Sequence, residues 1–106
     1  MFGATVQYEF SGNEAEWDAA VATFVQEIDA DPDVSGRFTY RVTRVKDGSK
    51  RIHWGQWDVP ETIQLLQSRD YFRMFTAKLQ ELHGGKLEPT LFRFCTVPRT
   101  RPVAGL

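Results

Sequence analysis

One stretch decides the fold: Trp57-Asp-Val-Pro-Glu-Thr-Ile-Gln-Leu-Leu-Gln-Ser-Arg-Asp-Tyr-Phe-Arg-Met-Phe75, which joins an aromatic strand to a helical region. Asp58 has a side chain suited to a helix N-cap, and Glu61, three residues later, completes a capping box. Pro60 falls in the first turn, where its missing N–H costs nothing. The pattern predicts a short helix over residues 59–68.

A second helical stretch follows an interruption at Ser68-Arg69-Asp70. Its apolar side chains recur at helical spacing, and Gly84-Gly85 supplies a C-terminal stop. The apolar stripe consists of Phe72, Phe75, Leu79 and Leu82.

Upstream, residues 4–10 alternate between apolar and polar side chains, which predicts a strand. A helix is predicted from about residue 14 to residue 29, because Asn13 and Glu16 offer a capping arrangement before apolar residues at helical spacing. Asp31-Pro32-Asp33 ends this helix, since proline lacks an N–H and disfavours helical geometry in the residue before it.

Strands at residues 36–45 and 51–58 flank Asp47-Gly48, a strong signal for an antiparallel hairpin, and a last strand is predicted at residues 90–97. The order strand, helix, strand, strand, helix, strand predicts an α+β, ferredoxin-like βαββαβ fold, with a four-stranded antiparallel sheet and two helices on one face. The 106 residues fit a single domain, residues 1–98, followed by an extended tail over residues 99–106.

Both faces of the predicted sheet carry large apolar side chains, so the face without helices needs a cover. Trp54 and Trp57 are separated by an odd number of residues and therefore point to opposite faces. Leu91 and Phe92 do the same in the last strand. A second copy of the sheet, a ligand and stacked bases are three alternatives for that cover.

Composition excludes several classes of protein. The net charge is -1, with Lys+Arg 13 against Asp+Glu 14, so no overall field attracts nucleic acid or an anionic membrane. The N-terminus has no basic leader pattern, and no segment approaches the roughly 20 apolar residues of a membrane span, so we expect a soluble, cytoplasmic protein. The lone Cys95 is expected to be a buried, unreactive thiol.

Metal and nucleotide sites are not predicted, and no cofactor is expected. Asp29, Asp31 and Asp33 have the spacing that opens an EF-hand loop, but Val34 and Tyr40 stand where that loop needs Gly and Glu. We interpret the run as a solvated helix terminus. No Cys/His set has zinc spacing, and there is no Gly-rich phosphate loop.

An RNA-recognition module has the same order of elements and is the nucleic-acid alternative. Residues 50–57 lack the basic-Gly-aromatic order of its signature, and the chain is slightly acidic, so we do not expect nucleic acid as a partner.

The stretch from Trp57 to Phe75 resembles the dimeric α/β-barrel superfamily, and within it the antibiotic-biosynthesis monooxygenase-like branch. In that branch a strand Trp is followed by an acidic or Ser position, an acidic-apolar helix start and a segment that closes on aromatic residues. The resemblance implies a homodimer of two ferredoxin-like subunits that pack sheet against sheet. It also implies a cleft between helices and sheet for a small hydrophobic ligand.

One position departs from the branch. Many members carry a His in the middle of this helix, where alignment on Trp57 and Phe72 puts Leu66. Haem degraders of the branch pair a strand Asn and a strand Trp with that His. Gln7 is a candidate for the first and Trp57 matches the second, but Leu66 cannot be the third, so haem ligation by this route is not expected.

His53 is the candidate for acid–base chemistry. It shares a strand face with Trp57, and sheet pairing could bring Gln7, Glu9, Arg41 or Arg93 near it. A neutral imidazole can take a proton from a phenol or enol, and Arg can hold the resulting anion. The other interpretation is that these residues form a solvated rim or a dimer contact.

We therefore expect a cofactor-independent, monooxygenase-like enzyme acting on a small, flat, hydrophobic substrate, either aromatic or polyketide-like. The alternative is a non-catalytic dimeric ligand-binding or accessory module of the same fold. The predicted catalytic residues are His53, Arg41 and Arg93. The predicted substrate-binding residues are Gln7, Trp57, Tyr71, Phe72 and Phe75.

Overall fold

The sheet and helices follow the predicted order in a computed structural model that describes residues 1–46, 48–85 and 87–95. The strands are β1 (Phe2–Glu9), β2 (Phe38–Arg44), β3 (Lys50–Trp57) and β4 (Thr90–Arg93). The helices are α1 (Glu14–Ala30), α2 (Pro60–Gln67) and α3 (Asp70–His83). The strands form one antiparallel sheet in the order β2-β3-β1-β4. The predicted ferredoxin-like α+β fold is confirmed, with the second helical region divided into α2 and α3.

The two faces of the sheet differ, as the alternation of the strands predicts. Trp57 is 6% exposed and packs in the core on the face covered by the helices. Trp54 is 43% exposed on the opposite face, so the opposite orientation of the two tryptophans is confirmed. We call this opposite side the open face. Its side chains around Trp54 are Thr39, Arg41, Thr43 and Gln56.

The core lies between the covered face and the three helices. The rings of Phe24 in α1 and Phe75 in α3 stack with their centroids 4.0 Å apart, which joins these two helices. Leu66 in α2 is fully buried in the same cluster. A fully buried position favours an apolar side chain, which fits the presence of Leu66 where many members of the monooxygenase-like branch are expected to have a His.

The start of α1 is capped as predicted, because the Asn13 side chain accepts a hydrogen bond from the Glu16 N–H at 2.9 Å. The start of α2 differs. Val59 occupies the N-cap position without a side-chain bond, while the Asp58 carboxylate accepts the Val59 N–H and the hydroxyl of the buried Thr62. The predicted capping box is therefore wrong. Asp58 instead satisfies a hydroxyl that would otherwise be buried without a partner.

The aspartates after α1 form an ion-pair cluster. Arg69 lies 2.9 Å from a carboxylate oxygen of Asp31 and 2.8 Å from one of Asp33, and the Tyr71 hydroxyl donates to Asp31 at 2.7 Å. The Asp31 side chain is only 9% exposed. The interpretation of this run as a solvated terminus is wrong for Asp31, because the cluster ties the end of α1 to the start of α3.

Some predictions fall outside the described residues, namely those for Asp47, Val97 and the tail over residues 99–106. Cys95 is exposed, so the expectation of a buried thiol is wrong. The physical reason is that β4 ends at Arg93, before the strand pattern reaches Cys95. Among the described residues, no helix is both long enough and apolar enough to cross a membrane.

Candidate active site between the sheet and the helices

A cavity of about 210 Å³ lies between the covered face of the sheet and the helices. Its walls are mainly apolar and aromatic, with flat rings contributed by strands and helices alike. The lining residues are Ala4, Val6, Phe24, Phe38, Tyr40, His53, Gly55, Trp57, Ile63, Gln67, Phe72, Phe75, Thr76, Leu79, Gln80, Leu87, Pro89 and Leu91.

No Lys, Arg, Asp or Glu occurs among these lining residues. The lining side chains that carry polar atoms are Tyr40, His53, Trp57, Gln67, Thr76 and Gln80. Since a charged ligand would lose its hydration here without an ion-pair partner, the cavity favours an uncharged molecule.

A hydrogen-bonded chain of four side chains runs behind and into this cavity. The Trp17 indole N–H donates to the Tyr8 hydroxyl at 2.7 Å. Tyr8 is in turn hydrogen-bonded to Nε2 of His53 at 2.6 Å. The other ring nitrogen of His53, Nδ1, is hydrogen-bonded to the Tyr40 hydroxyl. Both nitrogens of His53 therefore have protein partners, and Tyr40 is the end of the chain that lines the cavity.

The register of the sheet explains this geometry. His53 lies on the inner strand β3, directly opposite Val6 of β1 and Val42 of β2. Tyr8 and Tyr40 are each two residues from those partners, so they are its diagonal neighbours on the same face. Diagonal pairs of this kind are within the reach of aromatic side chains.

Burial sets the charge of the chain. It lowers the pKa of His53 to about 4, because the side chain is 4% exposed and the cationic form would lose its hydration. Burial also raises the pKa of Tyr40, and the neighbouring Tyr8 raises it further. The pKa of Tyr8 is raised by burial, against the opposing effects of the Trp17 hydrogen bond and the Arg51 charge. At neutral pH the group that meets a ligand is thus a neutral hydroxyl.

The structure brings together only part of the predicted site. His53, Trp57, Phe72 and Phe75 all line the cavity. Tyr71 does not, because it lies in a separate groove on the outer side of α1 and α3.

The predicted arginines and Gln7 are not near His53. Arg41 lies on the open face with Trp54. Gln7 is next to the cavity residue Val6 in β1, so its side chain points to the opposite face of the sheet, which is the open face. Arg93 is on the edge strand β4, where its guanidinium lies 5.3 Å from the ring centroid of Phe2, outside the cavity lining. For Arg41 and Gln7, a one-residue difference in strand position decides which face the side chain meets. Arg93 is separated from His53 by the intervening strand β1.

Sequence reasoning missed Tyr8 and Tyr40 as the hydrogen-bond partners of His53, and Trp17 as the donor to Tyr8. The signal was present for the tyrosines, since a ferredoxin-like strand order puts the first and second strands on either side of the third. No spacing rule points to Trp17, which reaches Tyr8 from α1. Among the described residues, no group of three or more His, Cys, Asp or Glu side chains could hold a metal ion.

Comparison with solved structures finds the same fold in oxygenases. SnoaB, a cofactor-independent oxygenase from Streptomyces nogalater, is 17% identical with a TM-score of 0.69, over 95% of this chain and 96% of that chain. A monooxygenase from the gene ActVA-Orf6 of Streptomyces coelicolor, in complex with nanaomycin D, is 20% identical with a TM-score of 0.63, over 92% of each chain.

A candidate antibiotic biosynthesis monooxygenase from Caulobacter crescentus is 14% identical with a TM-score of 0.72, over 86% of each chain. No family model and no curated protein matches the sequence. The chain therefore has the ferredoxin-like fold of the antibiotic biosynthesis monooxygenases, as the resemblance of residues 57–75 implied, and at these identities the likeness shows the fold alone.

The burial of neutral His53 predicts acid sensitivity. Its folded-state pKa of about 4 lies below the ordinary value of 6.5. The unfolded chain therefore takes up a proton first as the pH falls. The contribution of neutral His53 to the free energy of unfolding is fully present above pH 6.5. It is lost as the pH falls towards 4, which lowers the free energy of unfolding by about 3 kcal/mol.

The measurement is the free energy of unfolding in urea at pH 7 and pH 4, for the wild type and for His53→Gln. We expect the wild type to lose about 3 kcal/mol more than the variant over this interval. Parallel pH profiles for the two proteins would show that His53 is not held neutral by the fold.

Proposed function

We propose that the protein is a cofactor-independent, monooxygenase-like enzyme acting on a small, flat, hydrophobic substrate held in the cavity between sheet and helices. The observation that carries the proposal is the Tyr40 hydroxyl, supported by His53 and placed in a cavity whose walls are mainly apolar and aromatic. The fold, shared with a cofactor-independent oxygenase, supports the same reaction class.

The size of the cavity limits the substrate. Its volume of about 210 Å³ is below the roughly 300–1,000 Å³ of pockets for drug-sized ligands. An apolar cavity of about 150 Å³ accommodates benzene. We therefore propose an aromatic substrate of one or two rings, at the small end of the aromatic and polyketide-like compounds.

Tyr40 supplies the electrostatic part of the proposed reaction. A ketone with an acidic methylene group binds uncharged and then loses a proton to a water molecule. The oxygen of the enolate that forms accepts the Tyr40 hydrogen bond, which stabilises the developing charge. The enolate carbon forms a bond to O₂, and the peroxide takes a proton from water. Loss of water, with departure of the second methylene proton, leaves a new carbonyl, so that R₂CH₂ + O₂ gives R₂C=O + H₂O.

A second candidate is the non-catalytic ligand-binding module. It is favoured by the occupation of both His53 nitrogens and by the low pKa of His53, about 4, because such an imidazole is a weak base with no free nitrogen for a substrate. In this second candidate function, the protein binds the same class of ligand but does not consume O₂.

We further propose that two chains pack through their open faces as a homodimer. Trp54 is a large aromatic residue exposed at the centre of this face, and its indole N–H donates to Thr43 at 3.1 Å. Tryptophan and arginine are the residue types most enriched at interface hot spots. We assign Arg41 and Gln7 to this dimer face rather than to chemistry at His53.

Loss of the Tyr40 hydroxyl tests the catalytic proposal. With 2-indanone, a two-ring ketone that has acidic methylene groups beside its carbonyl and is uncharged at neutral pH, we expect O₂ consumption by the wild type without any added cofactor. Tyr40→Phe should lower kcat about 100-fold, the effect of removing one oxyanion donor. An oxygen electrode measures the rate, and incorporation of ¹⁸O from ¹⁸O₂ into the product identifies the new carbonyl.

The matched control is Met74→Ala, a substitution at an exposed residue outside the cavity, which should keep the wild-type rate. Equal rates for Tyr40→Phe and the wild type would refute the role of Tyr40. Saturable binding of the ketone without O₂ consumption would refute catalysis on this substrate class and select the ligand-binding module.

The dimer is tested by sedimentation velocity at micromolar concentration. We expect twice the mass of one chain for the wild type and for Met74→Glu, which puts a charge on the exposed outer surface of α3. Trp54→Glu should sediment as a monomer, because it removes the aromatic anchor of the proposed contact and replaces it with a charge that must lose its hydration. A monomeric wild type, or a dimeric Trp54→Glu, would contradict the open-face contact.

A further inference from the structure

The hydrogen-bonded chain behind the cavity starts at a group that can only donate. The indole N–H of Trp17 has no acceptor function, and it donates to the Tyr8 hydroxyl at 2.7 Å. Trp17 is 5% exposed and does not line the cavity. The first bond of the chain therefore has a fixed direction, set by a residue that cannot touch a ligand there.

The hydroxyl of Tyr8 has one proton, which needs a hydrogen-bond acceptor because the group is buried. Among the described residues its hydroxyl has one other hydrogen-bond partner, Nε2 of His53 at 2.6 Å. Arg51 is directly opposite Tyr8 in the sheet, but a guanidinium has no acceptor. If Nε2 carried the proton of the imidazole, the Tyr8 proton would be buried without an acceptor. This is the costly arrangement, so Tyr8 donates to Nε2.

The tautomer of His53 then determines the direction of its hydrogen bond with Tyr40. A neutral imidazole that accepts at Nε2 carries its proton at Nδ1. Nδ1–H donates to the Tyr40 oxygen, so the proton of Tyr40 is not used within the chain. Tyr40 lines the cavity, and among the described residues its hydroxyl has no hydrogen-bond partner other than His53.

We propose that Trp17 fixes the direction of the chain Trp17→Tyr8→His53→Tyr40, so that the cavity selects an uncharged aromatic ligand with a carbonyl acceptor for the Tyr40 hydroxyl. Trp17 is a positioning residue in this scheme, because it acts through Tyr8 and His53. The inference rests on the proposed function only in taking the cavity as the ligand site. The inference specifies that the ligand carries a carbonyl acceptor, and it does not depend on a reaction with O₂.

The direct test is the tautomer of His53 in the full, unmodified chain. Long-range ¹H–¹⁵N correlation spectra at pH 7 distinguish a protonated ring nitrogen from an unprotonated one, and His83→Gln assigns the two histidines. We expect protonated Nδ1 and unprotonated Nε2 in His53. The opposite tautomer, or an exchange average of the two, would overturn the proposal without the need for any core variant.

Binding of a matched pair of probes tests the consequence for ligands. 1-Indanone and indane have the same two rings, and only the ketone has an acceptor. The ratio of the indane Kd to the 1-indanone Kd is expected to fall about fivefold in Tyr40→Phe, the value of one net hydrogen bond. In Trp17→Phe it should fall about twofold, because a chain free to reverse donates to the ligand only part of the time.

A ratio unchanged in Trp17→Phe, with the fivefold fall in Tyr40→Phe, would refute the role of Trp17. If neither probe binds the wild type, the ligand site fails, and with it both this inference and the proposed function. Selective ketone binding without O₂ consumption would leave this inference supported and the catalytic proposal refuted.

Discussion

The rest of the site depends on an imidazole buried on an inner strand of the sheet. His53 is 4% exposed, so each of its ring nitrogens needs a protein partner. Tyr8 and Tyr40 supply those partners from the two flanking strands, which requires the register that puts Val6 and Val42 opposite His53. A slip of one residue in either strand would turn its tyrosine to the open face. The polar network and the sheet register therefore support one another.

The same constraint gives the cavity its chemistry. Tyr40 satisfies His53 on one side and lines a mainly apolar space on the other, so the interaction that stabilises the fold also provides a polar contact of the site. Gly55, two residues beyond His53, keeps that space open, because a Cβ there would lie 3.1 Å from the ring of Phe38. Among the described lining residues there is no Lys, Arg, Asp or Glu, so a ligand is recognised by the shape of its rings and by a few neutral hydrogen-bond donors and acceptors.

The fold was predictable because its signals are local. Alternating strands, the Asn13 cap, the stop at Gly84 and the aromatic stretch from Trp57 to Phe75 each report on a few neighbouring residues. Face assignment within a strand was also predictable, as Trp54 and Trp57 show. The site was predicted in part, since His53 and the aromatic walls follow from strand parity and helical spacing.

The partners of His53 were not predicted, because they depend on contacts between distant segments. Arg41 was proposed near His53 from charge chemistry, but the register pairs His53 with Val42 and Arg41 with Trp54, which puts Arg41 on the open face. Trp17 reaches Tyr8 from α1 only after the helix has packed on the sheet. Burial, which lowers the pKa of His53 to about 4, is likewise a property of the folded core.

The central claim is that Tyr40 donates a hydrogen bond to a carbonyl group in the cavity. Isotope-edited infrared difference spectra of 1-indanone labelled with ¹³C at its carbonyl, bound to the wild type and to Tyr40→Phe, measure this donation at the ligand itself. We expect a carbonyl stretch at lower frequency in the wild type than in the variant, because hydrogen bonding weakens the C=O bond. Identical frequencies in the two complexes would contradict it.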